Sequence, residues 1–124
     1  MSELRKIDLI HKEICHPYPR HILDSIEKLN RLRETLKKFN TIGFDSDHEE
    51  HYGNISLRID DSNNFICSAT QTSGIDIIND THYPTVTGFL SGALYSIGIR
   101  DQKPSVEATT HLGFYEGNHL INCV

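Results

Sequence analysis

A change of hydrophobic period near residue 40 divides the chain into a helical part and a β-rich part. Before that point, apolar residues recur at spacings of three and four, which places them on one face of a helix. These residues are Ile22, Ile26, Leu29, Leu32, Leu36 and Phe39. Asn40 and Gly43 supply the end of that helix. Beyond it, Ile55, Leu57 and Ile59 alternate with polar residues, as in a half-buried strand. The pattern predicts a mixed α/β fold.

The remaining elements follow from turn residues and from further apolar stretches. The polar segment 60–64 is a turn, and residues 65–68 return as the hairpin partner of the first strand. Two more β-rich stretches cover residues 83–89 and 93–99. Ser105 is a suitable N-cap for a helix over residues 106–116, because its hydroxyl can accept from a free amide of the first turn.

Both ends of the chain carry weaker signals. Residues 3–14 are a candidate short helix, stopped by Pro17 and Pro19. Residues 120–124 resemble the start of a buried strand. Because a native terminus usually lies beyond the last buried element, we expect the chain to be a truncated form of a longer domain.

Charge and composition exclude several classes of function. At 124 residues the chain is one domain at most, and its net charge of −5 argues against a nucleic-acid partner. A basic cluster lies on the predicted helix among acidic residues, and we interpret it as a solvated face. Its members are Arg31, Arg33, Lys37 and Lys38.

Cysteine usage and hydropathy point to a cytoplasmic protein. Cys15, Cys67 and Cys123 form an odd set without CxxC spacing, which favours buried free thiols in a reducing compartment. No apolar stretch approaches the roughly 20 residues that a membrane-spanning helix needs. The charged N-terminus has no signal-peptide core. We therefore expect no membrane partner.

Three loops carry residues that are suited to holding a phosphate group. Glycine lets backbone amides approach a ligand closely, and Ser, Thr and Asn side chains add neutral donors. The loops are Gly53-Asn54-Ile55-Ser56, Thr72-Ser73-Gly74 and Pro104-Ser105. Each loop alone is equally well explained as an ordinary turn. Their convergence on one site would be stronger evidence.

Glu107 is the acidic residue with the clearest chemical potential. It lies in the first turn of the predicted helix, where a carboxylate can simply complement the helix dipole or can act as a general acid or base. His111 follows one turn later, and it could share a site with Glu107 or pack with its nitrogens satisfied. His48 and His51 have a spacing that could bind a metal, although two imidazoles alone make a weak site.

Taken in order and spacing, these motifs resemble the class II aldolase/adducin family. The resemblance covers residues 22–124, with residues 1–21 as an N-terminal helical extension. It rests on Gly53-Asn54-Ile55-Ser56-Leu57-Arg58, Thr72-Ser73-Gly74-Ile75 and Pro104-Ser105-Val106-Glu107, with His111 and Tyr115 following. Fuculose-phosphate aldolase and ribulose-phosphate 4-epimerase are well-known enzymes of this family.

The resemblance implies a fold, a site and a cofactor. The fold would be a three-layer α/β/α domain around a mainly antiparallel sheet, assembled as a homotetramer. Glu107 would move protons during retro-aldol cleavage and touch a zinc ion that polarises the substrate. The substrate would be a small phosphorylated sugar or a related carbonyl compound. The residues implied to hold its phosphate are Gly53, Asn54, Ser73, Gly74 and Ser105.

Two departures from the family pattern leave the activity open. Val106 stands where the family usually has a second serine, so the ligand could be another sugar phosphate or an unphosphorylated compound. The zinc-binding histidine pair would begin about two residues beyond Val124, outside this chain. Three hypotheses follow: a zinc-dependent aldehyde-lyase or isomerase of which this is the N-terminal part, a non-enzymatic adducin-like interaction module or inactive truncated paralogue, and one half of a split protein. Without the metal-binding histidines, the chain alone is expected to be inactive.

Overall fold

The two helices of the chain form where the sequence predicts them. The computed structural model describes residues 7–124, with α1 at Arg20–Lys38 and α2 at Ala108–Gly117. The most deeply buried apolar residues of α1 are Ile22, Ile26 and Leu29. Asn40 follows α1 with a left-handed φ of 57°, a conformation that ends helices. Neither described helix is long and apolar enough to cross a membrane.

A five-stranded, mostly antiparallel sheet and a separate two-stranded sheet complete the fold. The strands are β1 (Asp8–Glu13), β2 (Gly43–Asp45), β3 (Glu50–Tyr52), β4 (Ser56–Arg58), β5 (Phe65–Cys67), β6 (Thr85–Leu90) and β7 (Ala93–Gly98). The larger sheet has the order β1-β7-β6-β5-β4, in which only β1 and β7 are parallel. Strands β2 and β3 pair with each other. The mixed α/β class and the predicted β4–β5 hairpin are confirmed.

The side chains of β5 divide between two apolar clusters, because successive residues of a strand point to opposite faces of a sheet. Ile66 belongs to a cluster that includes the buried stripe of α1. Phe65 and Cys67 belong to a second cluster that includes residues of α2. Members of this second cluster on α2 are Ala108, Leu112 and Tyr115. The two helices therefore pack against different faces of the same inner strand, β5.

The helix predicted for residues 3–14 is wrong where the structure describes it. Asp8–Glu13 is the strand β1, and it pairs in parallel with β7 along its full length. The backbone N–H and C=O groups at the edge of β7 are available as hydrogen-bond partners for this segment. Pairing with them satisfies the backbone of the segment more fully than a short isolated helix could. Residues 3–6 of that prediction lie outside the described part of the chain, and the division at residue 21 stays a prediction.

The C-terminal segment lies at the edge of the sheet and is not buried as predicted. Leu120 is 74% exposed. The segment nevertheless pairs with β4, since the Ser56 amide donates to the Val124 carbonyl at 2.9 Å. Buried Arg58 reinforces this attachment by donating to the carbonyls of Ile121 and Tyr115. The segment is an addition to the sheet edge with largely exposed side chains.

The prediction of three buried thiols is correct only for one cysteine. Cys67 lies on β5 and is buried, and burial raises the pKa of its thiol to about 12. Cys15 and Cys123 are free and exposed. They lie in segments that border the sheet instead of within its apolar clusters.

Candidate functional site

A pocket of about 250 Å³ lies where the three predicted ligand loops meet. Its walls come from the turn after β3, the loop after β5 and the start of α2. Predicted site residues that line it are Gly53, Asn54, Ser73, Ser105 and Glu107. The structure thus brings together five of the six residues that the sequence singles out, and Gly74 lies beside the pocket without lining it.

Gly53 and Ser73 hold two of these loops against each other. The Ser73 hydroxyl donates to the Gly53 carbonyl at 2.6 Å. Gly53 has a φ of +86°, and a Cβ at this position would lie 2.7 Å from the Thr41 carbonyl oxygen. Glycine is therefore needed at the turn into β4 for both conformational and steric reasons. This turn sets the position of Asn54 at the pocket wall.

Ser105 and Glu107 form the wall at the start of α2. The Ser105 hydroxyl oxygen accepts from the Glu107 amide at 3.2 Å. Because α2 begins at Ala108 with Glu107 as its N-cap, the prediction of Ser105 as the N-cap is wrong, and its side chain stabilises the turn that leads into the helix. The Glu107 carboxylate accepts from the Asn54 side-chain amide at 2.5 Å. Its position immediately before α2 also lets it interact favourably with the helix dipole. Glu107 is therefore fixed at the pocket by contacts from two different elements.

The Gly74 amide is directed to a histidine and is not a free donor. It donates to Nδ1 of His51 at 3.1 Å. A Cβ at Gly74 would lie 2.5 Å from Cβ of Phe44, so the close approach requires glycine. His51, on β3, lines the pocket and packs its ring against the Phe44 ring at a centroid distance of 4.9 Å. A phosphate could use the Gly74 amide only by displacing His51.

A buried arginine lies behind the Ser73-Gly74 loop, which corrects the prediction of a fully solvated basic face. Arg33 is only 3% exposed, and its guanidinium donates to backbone carbonyls of the loop, including that of Thr72 at 2.7 Å. Burial lowers its pKa from the ordinary value, but an arginine remains charged at neutral pH. Lys37 also donates to the carbonyls of Ser73 and Ile75. The loop therefore lies against one buried guanidinium and against a lysine whose ammonium is also 3.6 Å from the Asp76 carboxylate.

The position of Arg33 on α1 indicates that the side chain is buried, although a charged residue type suggests exposure. Arg33 follows Leu29 by four residues and precedes Leu36 by three, so it occupies a position of the apolar stripe of α1. Its Nε has no hydrogen-bond partner among the described residues. The burial of a charged residue on an apolar stripe indicates a specific role, because such burial is costly without hydrogen bonds.

The pocket is also lined by acidic residues, but the described residues do not fit a zinc ion. Glu49 and Glu50 line the pocket together with Glu107. Residues 7–124 contain no group of three or more His, Cys, Asp or Glu side chains arranged to hold a metal, whereas zinc sites need three or four protein ligands. His48 instead contacts the Asp45 carboxylate through Nδ1 at 2.7 Å. His51 contacts the Gly74 amide instead, so the two histidines have different partners, and both the His48/His51 metal pair and Glu107 as a zinc ligand stay predictions.

A buried polar network connects β4 to α2 directly beneath the pocket. The Ser56 hydroxyl lies 2.6 Å from Nδ1 of His111 and 2.6 Å from the Tyr115 hydroxyl. Burial lowers the pKa of His111, and the nearby Glu107 carboxylate partly opposes that shift. Burial raises the pKa of Tyr115 to about 12. His111 therefore packs with Nδ1 satisfied and does not pair directly with Glu107.

No protein-family model, curated protein or solved structure matches this chain. Its functional interpretation accordingly depends on the residues of the pocket and on their chemistry. The pocket is lined both by small residues with neutral polar groups and by the carboxylates of Glu49, Glu50 and Glu107. A lining of this kind suits a small polar ligand that can contact both kinds of group.

Proposed function

We propose that the chain is a class II aldolase/adducin-like protein that binds a small phosphorylated carbonyl compound in this pocket. One observation carries the proposal. Asn54, Ser73, Ser105 and Glu107 are distant in sequence, yet they line a single pocket. A pocket that combines neutral donors with one carboxylate held at a helix start has the groups required for binding a sugar phosphate and moving a proton.

The proposal includes the three-layer α/β/α arrangement and a homotetrameric, cytoplasmic protein. The packing of α1 and α2 against different faces of β5 supports the layered arrangement. Exposed apolar side chains on and beside α2 are compatible with an interface between subunits. These are Phe89, Leu90, Val106 and Phe114.

Ser105 and Glu107 have separate parts in the proposed site. The Ser105 oxygen already accepts from the Glu107 amide, so its hydroxyl hydrogen is available to a ligand oxygen. The Glu107 carboxylate keeps lone pairs that the Asn54 amide does not use, and it could accept a proton from a bound carbonyl compound. The described residues do not complete a zinc site, so no step is assigned to a metal.

A second candidate, the non-enzymatic adducin-like module, is favoured by the way the pocket donors are already used. The Asn54 amide donates to Glu107, the Ser73 hydroxyl to Gly53, and the Gly74 amide to His51. Donors that are satisfied within the protein stabilise the loops without any ligand. Under this alternative the pocket is a structural junction and binds no sugar phosphate.

Ligand titration separates the two candidates. We expect dihydroxyacetone phosphate and ribulose 5-phosphate to bind in calorimetric titrations, and unphosphorylated dihydroxyacetone to bind much more weakly. Ser105→Ala should weaken binding of the phosphorylated ligands about tenfold, as expected for the loss of one hydrogen bond to a charged group. Glu116→Gln provides a matched control, because Glu116 lies on α2 outside this pocket. Absence of binding by the wild-type chain would contradict the proposal and favour the interaction module.

A further inference from the structure

The contact between Gly74 and His51 determines which ring nitrogen of the histidine carries a hydrogen. Nδ1 accepts from the Gly74 amide at 3.1 Å, so Nδ1 must be unprotonated. A neutral imidazole with an unprotonated Nδ1 carries its hydrogen on Nε2. No described residue accepts from that Nε2–H group. His51 lines the pocket, so we infer that its Nε2–H can reach a ligand bound there.

The peptide between Ser73 and Gly74 is held in the orientation that this contact needs. The Ser73 carbonyl accepts from Arg33 at 3.4 Å and from Lys37 at 3.3 Å. Within one trans peptide the carbonyl and the amide N–H point in opposite directions. The Gly74 N–H is therefore directed away from the two cations and toward His51.

We propose that His51 is a ligand-binding residue whose Nε2–H donates to the phosphate group of the substrate. This inference deepens the proposed function and rests on it. The Gly74 amide does not face the pocket as a donor, and His51 supplies a donor at the pocket wall in its place. His51 is thus a specificity-determining residue for the anionic end of the ligand.

The phosphate end is assigned to this side because Arg33 and Lys37 contact the carbonyls of the 72–75 loop. Glu49, Glu50 and Glu107 also line the pocket, so an anionic group needs the support of these two cations. Burial of Arg33 reduces screening of its charge by solvent. A dianionic group therefore gains most when it lies against Ser73 and His51.

Two substitutions of His51 separate ligand contact from loop support. In His51→Asn the side-chain oxygen can replace Nδ1 as the acceptor for Gly74, but no group reaches the position of Nε2. We expect binding of dihydroxyacetone phosphate and of inorganic phosphate to weaken about tenfold. His51→Gln, whose amide nitrogen can reach the Nε2 position, should recover part of that loss. His48→Asn is the matched control, because His48 is paired with Asp45 and does not line the pocket.

A spectroscopic measurement on the wild-type chain gives a second readout that does not depend on variants folding. Long-range ¹H–¹⁵N correlation spectra of histidine-labelled protein should show His51 as the Nε2–H tautomer, and inorganic phosphate should shift that nitrogen resonance but not that of His48. Equal binding of phosphate by wild type and His51→Asn, or an Nδ1–H tautomer, would overturn this inference and leave the proposed function standing. A wild-type chain that binds no phosphorylated ligand would overturn both.

Discussion

The side-chain amide of Asn54 donates to the carboxylate of Glu107 at 2.5 Å, across 53 positions of the chain. Asn54 precedes β4, and Glu107 precedes α2. The contact therefore joins the start of a strand to the start of a helix, and both side chains line the pocket. It fixes the carboxylate that we propose as the proton-moving group.

This contact should be measurable as a coupling between the two residues. We expect a double-mutant cycle with Asn54→Ala and Glu107→Ala to give a coupling free energy of about 0.5–1 kcal/mol, because the pair is charge-assisted but partly open to solvent. Urea denaturation of the four proteins is the measurement. Additive effects would show that the two side chains do not support each other in solution.

Removal of the buried guanidinium of Arg33 should destabilise the chain strongly. Arg33→Met keeps much of the side-chain volume but leaves several loop carbonyls without donors, at a cost of about 2–4 kcal/mol in the free energy of unfolding. Arg33→Lys should be intermediate, because an ammonium group can satisfy part of the set.

Arg31→Met is the matched control for this substitution. Arg31 is exposed and forms an i,i+4 pair with Glu27, so its loss should change the unfolding free energy by less than about 0.5 kcal/mol. Denaturation curves of all three variants test the comparison. Equal midpoints for Arg31→Met and Arg33→Met would contradict the assigned support of the 72–75 loop.

The sequence predicted local elements better than it predicted their partners. The helix α1 and the strand β4 depend on periodicities within one segment, and both elements are confirmed. Their predicted faces are correct only in part, because Leu32 and Phe39 are exposed, and Ser56 and Arg58 are buried more deeply than Leu57. Asp8–Glu13 forms a strand because the edge of β7 lies beside it. The sequence of the segment itself does not indicate that it will pair with β7. The prediction of a helix there therefore failed for a tertiary reason.

The same distinction applies to the pocket. The small and hydroxyl-bearing residues of the loops identified most of its lining from sequence alone. The pairing of Gly74 with His51 arises from the approach of β2 and β3 to the 72–75 loop. Arg33 looks like one member of a solvated basic cluster until α1 is placed against that loop. These features depend on contacts between distant segments, which periodicity does not encode.

Acidification should weaken the fold through His111. Its pKa in the folded chain is lowered, chiefly by burial, so the unfolded chain binds more protons in the pH range below the ordinary histidine value of about 6.5. The contribution of His111 to stability is therefore complete above that pH and is lost as the pH falls toward the lowered folded pKa. We expect the unfolding free energy to decline between pH 7.5 and pH 5.

Comparison of His111→Gln with the exposed His119→Gln isolates this effect. His111→Gln should flatten the decline of the unfolding free energy with pH, because the buried titrating group is gone. His119→Gln should leave the slope close to that of the wild type. Urea denaturation at several pH values gives the slopes, and a wild-type slope in His111→Gln would contradict the role of this residue.

Gly74→Ala should disturb the pocket wall, whereas Gly113→Ala should be harmless or slightly stabilising. At Gly74 the added Cβ would lie 2.5 Å from Cβ of Phe44 and 3.3 Å from Nδ1 of His51, so β2 or the histidine ring must move. At Gly113, within α2, nothing lies within 4 Å of the new Cβ, and alanine favours the helix by about 0.5–1 kcal/mol. Thermal unfolding should therefore shift in opposite directions for the two variants.

Gly74→Ala should also displace the His51 resonances while leaving the far-UV circular dichroism unchanged. An unperturbed His51 in that variant would mean that the loop and the histidine are not packed as closely as the structure indicates.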